Sequence, residues 1–368
     1  MTSPQILEPY VFPRTGTSIR NRLVLAAMTN KQSHADGTLS DDELEWLAAR
    51  ARGGFGMVTT CAAHVSLDGQ GWDGELGVFD DSLLPGLARL AGALRSEGAV
   101  SLVQIFHGGV RAPSRLTGQQ PFSASAFQLD GEDFEVPREA TVLDIERTIA
   151  AFASAARRCA EAGFDGVEIH GAHGYLITQF LGTISNTRDD EWGGSLENRA
   201  RFLRRIVAAV REATPDAFLV GVRISPEVAE QGVELEDSLT VAKWLAADGV
   251  DFVHVSNWDS FKPPAAHPES DKMLTTWFRE AVGVEVPLIA TGSVWTPAEA
   301  DQLLTQGANM VGLARAAIGN ASWPHSAARP DWIPARPPYT AEHLRAAGVS
   351  EKMVAYMRLW KGFVTDVR

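Results

Sequence analysis

Eight short apolar segments, each bounded by turn-forming residues, recur along the chain and constrain its fold more than any other feature. The stretches between them carry helix-capping signals and helical composition, as at 39–54, 235–249 and 296–308. Continuous apolar strands that alternate with helices are typical of a parallel sheet with a covered outer face, and eight strands close a barrel. The sequence therefore predicts an α/β protein of the (β/α)8 TIM-barrel class. The predicted strands are 22–28, 57–62, 100–106, 166–170, 218–224, 252–256, 288–290 and 310–313.

The chain is long enough to fold as one large barrel domain over residues 1–368. Two segments break the alternating pattern. Residues 108–140 follow the third strand, are rich in Gly, Pro, Ser and charge, and are expected to form a cap. Residues 320–368 begin as a Pro-rich crossing and continue as a helical tail, expected to line a pocket, contact another subunit or simply pack on the barrel. A dinucleotide-binding sheet is the structural alternative, but its GxGxxG turn is missing.

Composition points to small-molecule chemistry. The formal net charge is -13, and no block of Lys and Arg is present to neutralise nucleic-acid or membrane phosphates. Cys61 and Cys159 are too few for a disulfide framework or an iron–sulfur cluster. The N-terminus lacks the pattern of a signal peptide, and no apolar run reaches the length of a membrane span. We therefore expect a cytoplasmic protein that acts on a small molecule, with a homo-oligomer as one possible assembly.

The end of the fourth predicted strand carries two histidines and a tyrosine close together in the chain. His170 and His173 lie three residues apart, and Tyr175 follows Gly174. Two imidazole N–H groups that converge on a carbonyl oxygen would polarise it, and a nearby tyrosine could supply a proton. A metal pair and hydrogen-bonded core histidines are the alternatives, although a third metal ligand at suitable spacing is not evident. Tyr175 could equally be a packing residue.

Three further features suggest a bound cofactor. Gly292 and Gly312 lie at the ends of the last two strands and, with Arg315, are suited to binding a phosphate, although the glycines could simply permit tight turns. Arg223, inside the fifth strand, needs an anionic partner, which is either a bound anion or Glu168. Gln104, inside the third strand, suits the alternating donors and acceptors of a heterocycle, or a backbone group.

Together these residues resemble the old yellow enzyme family, the FMN-dependent ene reductases, over nearly the whole chain. NRLVLAAMTN at 21–30 is similar to the family's first strand, LVQIFHGG to its third and EIHGAHGYLITQFL to its catalytic segment. VGVRIS, TGS and GLAR are similar to its later cofactor contacts, whereas Ala27 and Ala314 stand where the family often has Pro and Gly. The flavin contacts that the resemblance implies are Ala27, Met28, Thr29, Ala62, Gln104, His170, Arg223, Gly292, Ser293, Gly312, Ala314 and Arg315.

The resemblance also implies a ping-pong cycle, in which NADPH or NADH reduces FMN and leaves before an α,β-unsaturated carbonyl compound binds. His170 and His173 would hold the carbonyl oxygen, Tyr175 would protonate the α carbon, and Arg223 would stabilise negative charge on the flavin. Lys31 stands where some members have a substrate-lining Tyr, so the implied substrate contacts are His170, His173, Tyr175 and Lys31.

Three other functions stay open on the sequence alone. The same fold could carry out oxidative demethylation of a small N-methyl compound with its flavin. A flavin-free lyase or isomerase could use Arg315 for a substrate phosphate and His170 as a base. A metal-dependent hydrolase could use the histidine pair. The barrel scaffold is compatible with all three, because fold alone does not fix function.

Overall fold

A computed structural model describes residues 4–129, 131 and 134–365. Eight parallel strands form a closed barrel in which each strand pairs with its neighbours in the chain and the last pairs with the first, as the sequence predicts. The first strand is shorter than predicted, so Ala27, Met28 and Thr29 lie beyond its end, at the barrel mouth. The strands are β1 (Leu23–Leu25), β2 (Met57–His64), β3 (Val100–Phe106), β4 (Gly166–Gly171), β5 (Leu219–Ile224), β6 (Phe252–Ser256), β7 (Leu288–Thr291) and β8 (Met310–Leu313).

A helix follows each barrel strand and covers the outside of the sheet. Side-chain caps fix several starts: the Ser40 hydroxyl accepts from the Glu43 amide, and Thr141 and Thr296 each form a capping box with the acid three residues on. The predicted helices are confirmed. These helices are α1 (Asp41–Arg52), α2 (Leu84–Ser96), α3 (Val142–Ala162), α4 (Leu196–Glu212), α5 (Leu235–Ala247), α6 (Leu274–Val282), α7 (Pro297–Thr305) and α8 (Arg315–Gly319).

Short elements complete the chain and lie mostly at the two ends of the barrel. Further helical turns are Gln5–Leu7, Leu67–Gly69, Asp81–Leu83, Gly109–Arg111, Ser114–Thr117, Leu176–Leu181, Ala229–Gln231, Trp323–Ala327, Ala341–Ala346 and Glu351–Met357. Two-residue strands are Tyr10–Val11, Ser18–Ile19, Leu76–Gly77, Phe122–Ser123, Arg138–Glu139, Tyr339–Thr340 and Val364–Thr365. Within the described residues, no helix is long and apolar enough to cross a membrane.

An N-terminal hairpin closes the end of the barrel where the strands begin. Its strands Tyr10–Val11 and Ser18–Ile19 pair antiparallel, and Phe12 between them is buried against Phe252, with ring centroids 6.2 Å apart. Burial of such a side chain contributes roughly 2–3 kcal/mol. The other interior residues of this apolar layer are Ile19, Val24, Met57, Leu102, Leu219, Ile289 and Met310. Because this end is sealed by apolar packing, the polar interior residues gather at the opposite mouth.

The cap predicted at 108–140 is braced by the polar loop that follows the histidine pair. Arg188 donates to the carbonyl oxygens of Ala124 (3.0 Å) and Ala140 (2.7 Å), and the Thr187 amide donates to Ser125 Oγ (3.1 Å). The arginine of this loop supports the cap instead of reaching the barrel mouth.

The C-terminal tail packs on the loop that follows β1. Ser350 Oγ donates to Gln32 Oε1 (2.5 Å), and Lys352 Nζ donates to the Ser33 carbonyl oxygen (2.9 Å). Lys31 Nζ lies 4.9 Å from the centroid of the Tyr356 ring. The tail is therefore held against residues 31–33 of that loop.

Candidate active site

The candidate active site lies at the carboxyl ends of the strands and contains strained backbone. Among the described residues, the non-glycine positions with positive φ are Lys31 (55°), His173 (60°) and Ser293 (54°). All three belong to the predicted site. Such a conformation costs on the order of 1 kcal/mol or more per residue and is tolerated where the surroundings enforce it. At His173 the enforcing neighbours include Ser225, whose Oγ accepts from the His173 amide at 3.0 Å.

The two histidines and the tyrosine form one compact cluster. The ring centroids of His170 and His173 are 5.0 Å apart, and those of His170 and Tyr175 are 4.9 Å apart. Phe106 and Trp72 pack against Tyr175 at 5.0 and 6.4 Å, and they support one side of its ring. The structure therefore brings together the three side chains that the sequence placed in catalysis.

Hydrogen bonds define which nitrogens of the histidines can act as donors. His170 Nδ1 accepts from the Ala172 amide at 3.2 Å, so a neutral ring carries its proton on Nε2. His173 Nε2 lies 2.8 Å from Ser256 Oγ. Desolvation, then His173 and Arg223, hold the pKa of buried His170 well below the ordinary histidine value, and the pKa of His173, which is exposed at the open mouth, is shifted in the same direction. Both imidazoles are therefore neutral donors at neutral pH.

Tyr175 stays protonated over the physiological range. Burial raises its pKa to about 12, although the positive charge of Arg111 opposes this shift. A protonated phenol in an apolar setting can give up its proton only to a strongly basic atom beside it.

Arg223 is buried and only partly satisfied by protein groups. Its Nη1 donates to the Ala27 carbonyl oxygen (2.9 Å) and its Nη2 to Ser256 Oγ (3.0 Å), while Nε is buried without a hydrogen-bond partner. Glu168, one partner considered from the sequence, attracts Arg223 electrostatically, but its hydrogen bonds go to Gln104 and His254. An unpaired donor on a buried cation is the mark of a group that binds something polar.

A buried chain of hydrogen bonds crosses the barrel below Arg223. Gln104 Nε2 donates to Glu168 Oε1 (2.6 Å), Glu168 Oε2 lies 2.6 Å from His254 Nδ1, and His254 Nε2 lies 2.7 Å from Thr291 Oγ1. Gln104 therefore bonds a carboxylate through its amide nitrogen, and not the backbone. His254 and Thr291 were not among the residues predicted from the sequence. The sequence did contain an indication of His254, because a histidine within an otherwise apolar strand needs a polar partner.

The last two strands form the predicted phosphate corner. Arg315 Nη2 donates to Ser293 Oγ (3.2 Å), and its guanidinium lies 4.8 Å from the centroid of the Trp258 ring. A Cβ on Gly292 would lie 2.8 Å from the Asn257 carbonyl oxygen, so only glycine fits there. One cavity is lined by these residues and reaches Arg223; its other lining residues include Gly312 and Ala314.

The remaining predicted cofactor contacts lie at the mouth around Arg223. Ala27 and Ala62 are buried and small, and Met28 and Thr29 are half-buried in the loop after β1. Ala62 lies opposite Gln104, just after an irregularity in the β2–β3 register between Thr59 and Ala62. Such irregularities re-aim side chains at active sites. The small side chains of Ala27 and Ala62 and the unpaired Nε of Arg223 are compatible with a planar ring that has a polar edge, so the residues present fit a flavin.

Within the part of the chain that the structure describes, no group of three or more His, Cys, Asp or Glu side chains is arranged to hold a metal ion.

The barrel and its polar mouth define an oxidoreductase of the flavin-binding barrel class. Residues 6–330 match the model of the NADH:flavin oxidoreductase / NADH oxidase family, and the chain belongs to that family. It is therefore an FMN-dependent oxidoreductase of the old yellow enzyme type that uses NADH or NADPH.

Two curated relatives illustrate the range of the family. The chain is 38% identical over 323 residues to a probable NADH-dependent flavin oxidoreductase, YqiG, of Bacillus subtilis, covering 86% of each chain. It is 36% identical over 333 residues to an NADH:fumarate oxidoreductase of Klebsiella pneumoniae, covering 88% of this chain but only 36% of the relative. The chain thus spans about a third of that longer protein.

Solved structures agree with the fold. The old yellow enzyme homologue from Zymomonas mobilis superposes with a TM-score of 0.80 at 26% identity, covering 93% of this chain and 96% of that one. Morphinone reductase superposes with a TM-score of 0.80 at 25% identity, covering 93% of each chain.

Proposed function

We propose that this enzyme reduces the activated C=C bond of α,β-unsaturated carbonyl compounds with NADH or NADPH, by a ping-pong mechanism in one pocket. The observation that carries the proposal is the cluster of His170, His173 and Tyr175 beside Arg223. The two histidines are neutral hydrogen-bond donors and Tyr175 is a proton source. Arg223 is a buried cation whose Nε has no hydrogen-bond partner. Conjugate reduction needs these groups: a polarised carbonyl, an acid for the α carbon and a charged contact for the cofactor.

The histidines would bind the carbonyl oxygen of the substrate. His170 offers Nε2–H, because its Nδ1 already accepts from the Ala172 amide. If the Ser256 hydroxyl donates to His173 Nε2, the proton of His173 lies on Nδ1 and that nitrogen becomes the second donor. Two hydrogen bonds to the oxygen withdraw electron density from the conjugated system, which makes its β carbon electrophilic.

Tyr175 would deliver the proton that completes the reduction. When bound and reduced by the nicotinamide, FMN would supply the hydride for the β carbon. The α carbon then becomes basic enough to take a proton from a phenol whose pKa burial raises to about 12. The packing of Phe106 and Trp72 on its ring keeps Tyr175 in place.

The cofactor would lie between Arg223 and the phosphate corner. Arg223 would use its free Nε, with Gln104, for the polar edge of the ring, and Ala27, Met28, Thr29 and Ala62 would surround the ring. The tail phosphate would bind at the corner made by Gly292, Ser293, Gly312, Ala314 and Arg315. His170 would touch both ring and substrate.

The names of similar proteins support this reading. Morphinone reductase and NADH:fumarate oxidoreductase are both named for compounds with a conjugated C=C bond. The second name is weaker support, because the chain matches only 36% of that protein.

Anaerobic half-reactions test the proposal. Enzyme as purified is expected to be yellow, to be bleached by NADH or NADPH, and to recover its colour when 2-cyclohexenone is added. Bleaching by nicotinamide without recovery on adding the enone, or by a small N-methyl amine alone, would contradict ene reduction.

A further inference from the structure

We propose that the natural substrate carries a carboxylate near its C=C bond and that the ammonium group of Lys31 recognises it. The inference rests on the proposed ene reduction and specifies the class of compound that the same pocket selects. Three kinds of observation carry it: the position of Lys31, the pairing of the carboxylates around it, and the other cations at the mouth.

Lys31 lies between the C-terminal tail and the loop that carries Trp72, the residue that packs against Tyr175. A Cβ on Gly74 would lie 2.5 Å from the Lys31 carbonyl oxygen, so the Lys31 loop is in contact with the loop that carries Trp72. Trp72 in turn packs against Tyr175. The positive φ of Lys31 fixes the direction in which its side chain leaves the loop, and its Nζ reaches the face of the Tyr356 ring.

The carboxylates near the pocket are already bonded to other groups. Glu75 lies 3.1 Å from His64 Nδ1 and accepts from the Gly71 amide at 2.8 Å. Glu168 is bonded to His254, and Glu230 accepts from Arg111 at 2.9 Å.

Lys31, by contrast, forms no salt bridge with a carboxylate among the residues that the structure describes, and its ammonium contacts an aromatic face instead. A cation over an aromatic ring remains able to bind an anion from its open side.

A second cation lies on the other side of Tyr175. A Cβ on Gly174 would lie 3.3 Å from Arg111 Nη2, so the guanidinium sits directly beside the backbone that joins His173 to Tyr175. Arg111 Nε is buried and unpaired. Because Arg111 is paired with Glu230 and Arg223 is attracted to Glu168, Lys31 stands apart among these three cations: it has no carboxylate partner within the described residues.

Two substrates that share one enone, the charged one being the less activated alkene, separate this proposal from ene reduction itself. trans-4-Oxo-2-pentenoate and its methyl ester share one enone, and only the acid carries a carboxylate on the β carbon. The wild-type enzyme is expected to show the higher kcat/KM with the acid. Failure to reduce either compound would count against the proposed function, whereas good reduction of the ester without preference for the acid would overturn only this inference.

The variants Lys31→Met and Lys31→Arg test the assignment to one residue. Lys31→Met should lower the ratio of kcat/KM for the acid to kcat/KM for the ester about tenfold or more, as expected for loss of one charge-assisted contact. Lys31→Arg should retain most of the preference. Lys243→Met, an exposed lysine on α5, is the matched control and should behave as wild type.

Inhibition by the saturated acid gives a second readout that needs no turnover of the inhibitor. Levulinate should inhibit the wild-type enzyme more strongly than methyl levulinate, and Lys31→Met should remove this difference. Equal inhibition constants for the two compounds in the wild-type enzyme, or loss of both activities in parallel in Lys31→Met, would overturn the proposal.

Discussion

The Ser256 hydroxyl lies 2.8 Å from His173 Nε2 and accepts a hydrogen bond from Arg223 Nη2 at 3.0 Å. One serine therefore links the cation proposed to touch the cofactor with the histidine proposed to bind the substrate. Because Arg223 occupies one lone pair of the hydroxyl, its proton is available to His173, which would set the tautomer of that ring.

Removal of this hydroxyl should weaken substrate binding more than cofactor reduction. In Ser256→Ala, we expect kcat/KM for an enone to fall about tenfold, as for one lost buried hydrogen bond. Reduction by NADH should change less than about threefold, since ring orientation at His173 matters only for the carbonyl. Stopped-flow measurement of both half-reactions checks this, with Ser256→Thr as the variant that keeps the hydroxyl. An equal loss in both half-reactions would refute the proposed link.

Replacement of Tyr175 by Phe should separate the two half-reactions further. Enone-driven reoxidation should slow by about 100-fold or more, because a positioned general acid is lost, whereas reduction by nicotinamide should be spared. Tyr339→Phe removes the hydroxyl of a buried tyrosine whose partner is the Ala335 carbonyl oxygen, and serves as control. Reoxidation at the wild-type rate in Tyr175→Phe would mean that the proton comes from elsewhere.

The pH dependence of reoxidation should be flat over a wide range. The pKa values of His170 and His173 are lowered by desolvation and nearby cations, so both rings lose their extra proton below the ordinary value of about 6.5. Burial raises the pKa of Tyr175 to about 12, so its phenol remains protonated at alkaline pH. Stopped-flow rates should therefore be constant from about pH 6.5 to 10, and decline only outside that window. A rising limb centred near pH 7 that is absent in His173→Gln would contradict the assignment of neutral histidines.

Stability should depend strongly on Gly312 in β8. A Cβ there would lie 1.8 Å from Thr291 Oγ1, inside the closed barrel next to His254. Gly312→Ala is expected to cost about 1–3 kcal/mol of the free energy of unfolding, or more if the strand cannot shift. Gly92→Ala on α2 meets no atom within 4 Å and should be neutral or stabilising by about 0.5–1 kcal/mol. Urea unfolding of both variants compares them, and equal stability would show that β8 has room to adjust.

The strands and the catalytic cluster could be predicted from the sequence because both depend on residues close together in the chain. Apolar runs report burial directly, and His170, His173 and Tyr175 share one turn. The contacts of Arg223 could not be predicted, because they depend on how the barrel closes. Its partner Ala27 is 196 residues away in the chain.

The hydrogen-bonded network of buried polar groups could not be predicted from the sequence for a similar reason. His254 meets Glu168 only because β4, β5 and β6 pair in a register that aligns His170, Arg223 and His254. Side chains in register on neighbouring strands point to the same side of the sheet, but the register follows from the whole barrel and not from any single strand. The strain at Lys31, His173 and Ser293 is likewise imposed by tertiary contacts, since these residue types do not favour positive φ by themselves.

Isotope labelling of the product shows which carbon receives the hydride from the nicotinamide and which receives the proton. An enone should be reduced with NADH deuterated at the transferable position in ordinary water, and with unlabelled NADH in heavy water, and the products compared by NMR. With deuterated NADH we expect deuterium on the β carbon, and in heavy water we expect it on the α carbon. In Tyr175→Phe the label on the α carbon should appear more slowly. Deuterium from the nicotinamide on the α carbon, or from heavy water on the β carbon, would contradict the proposed mechanism.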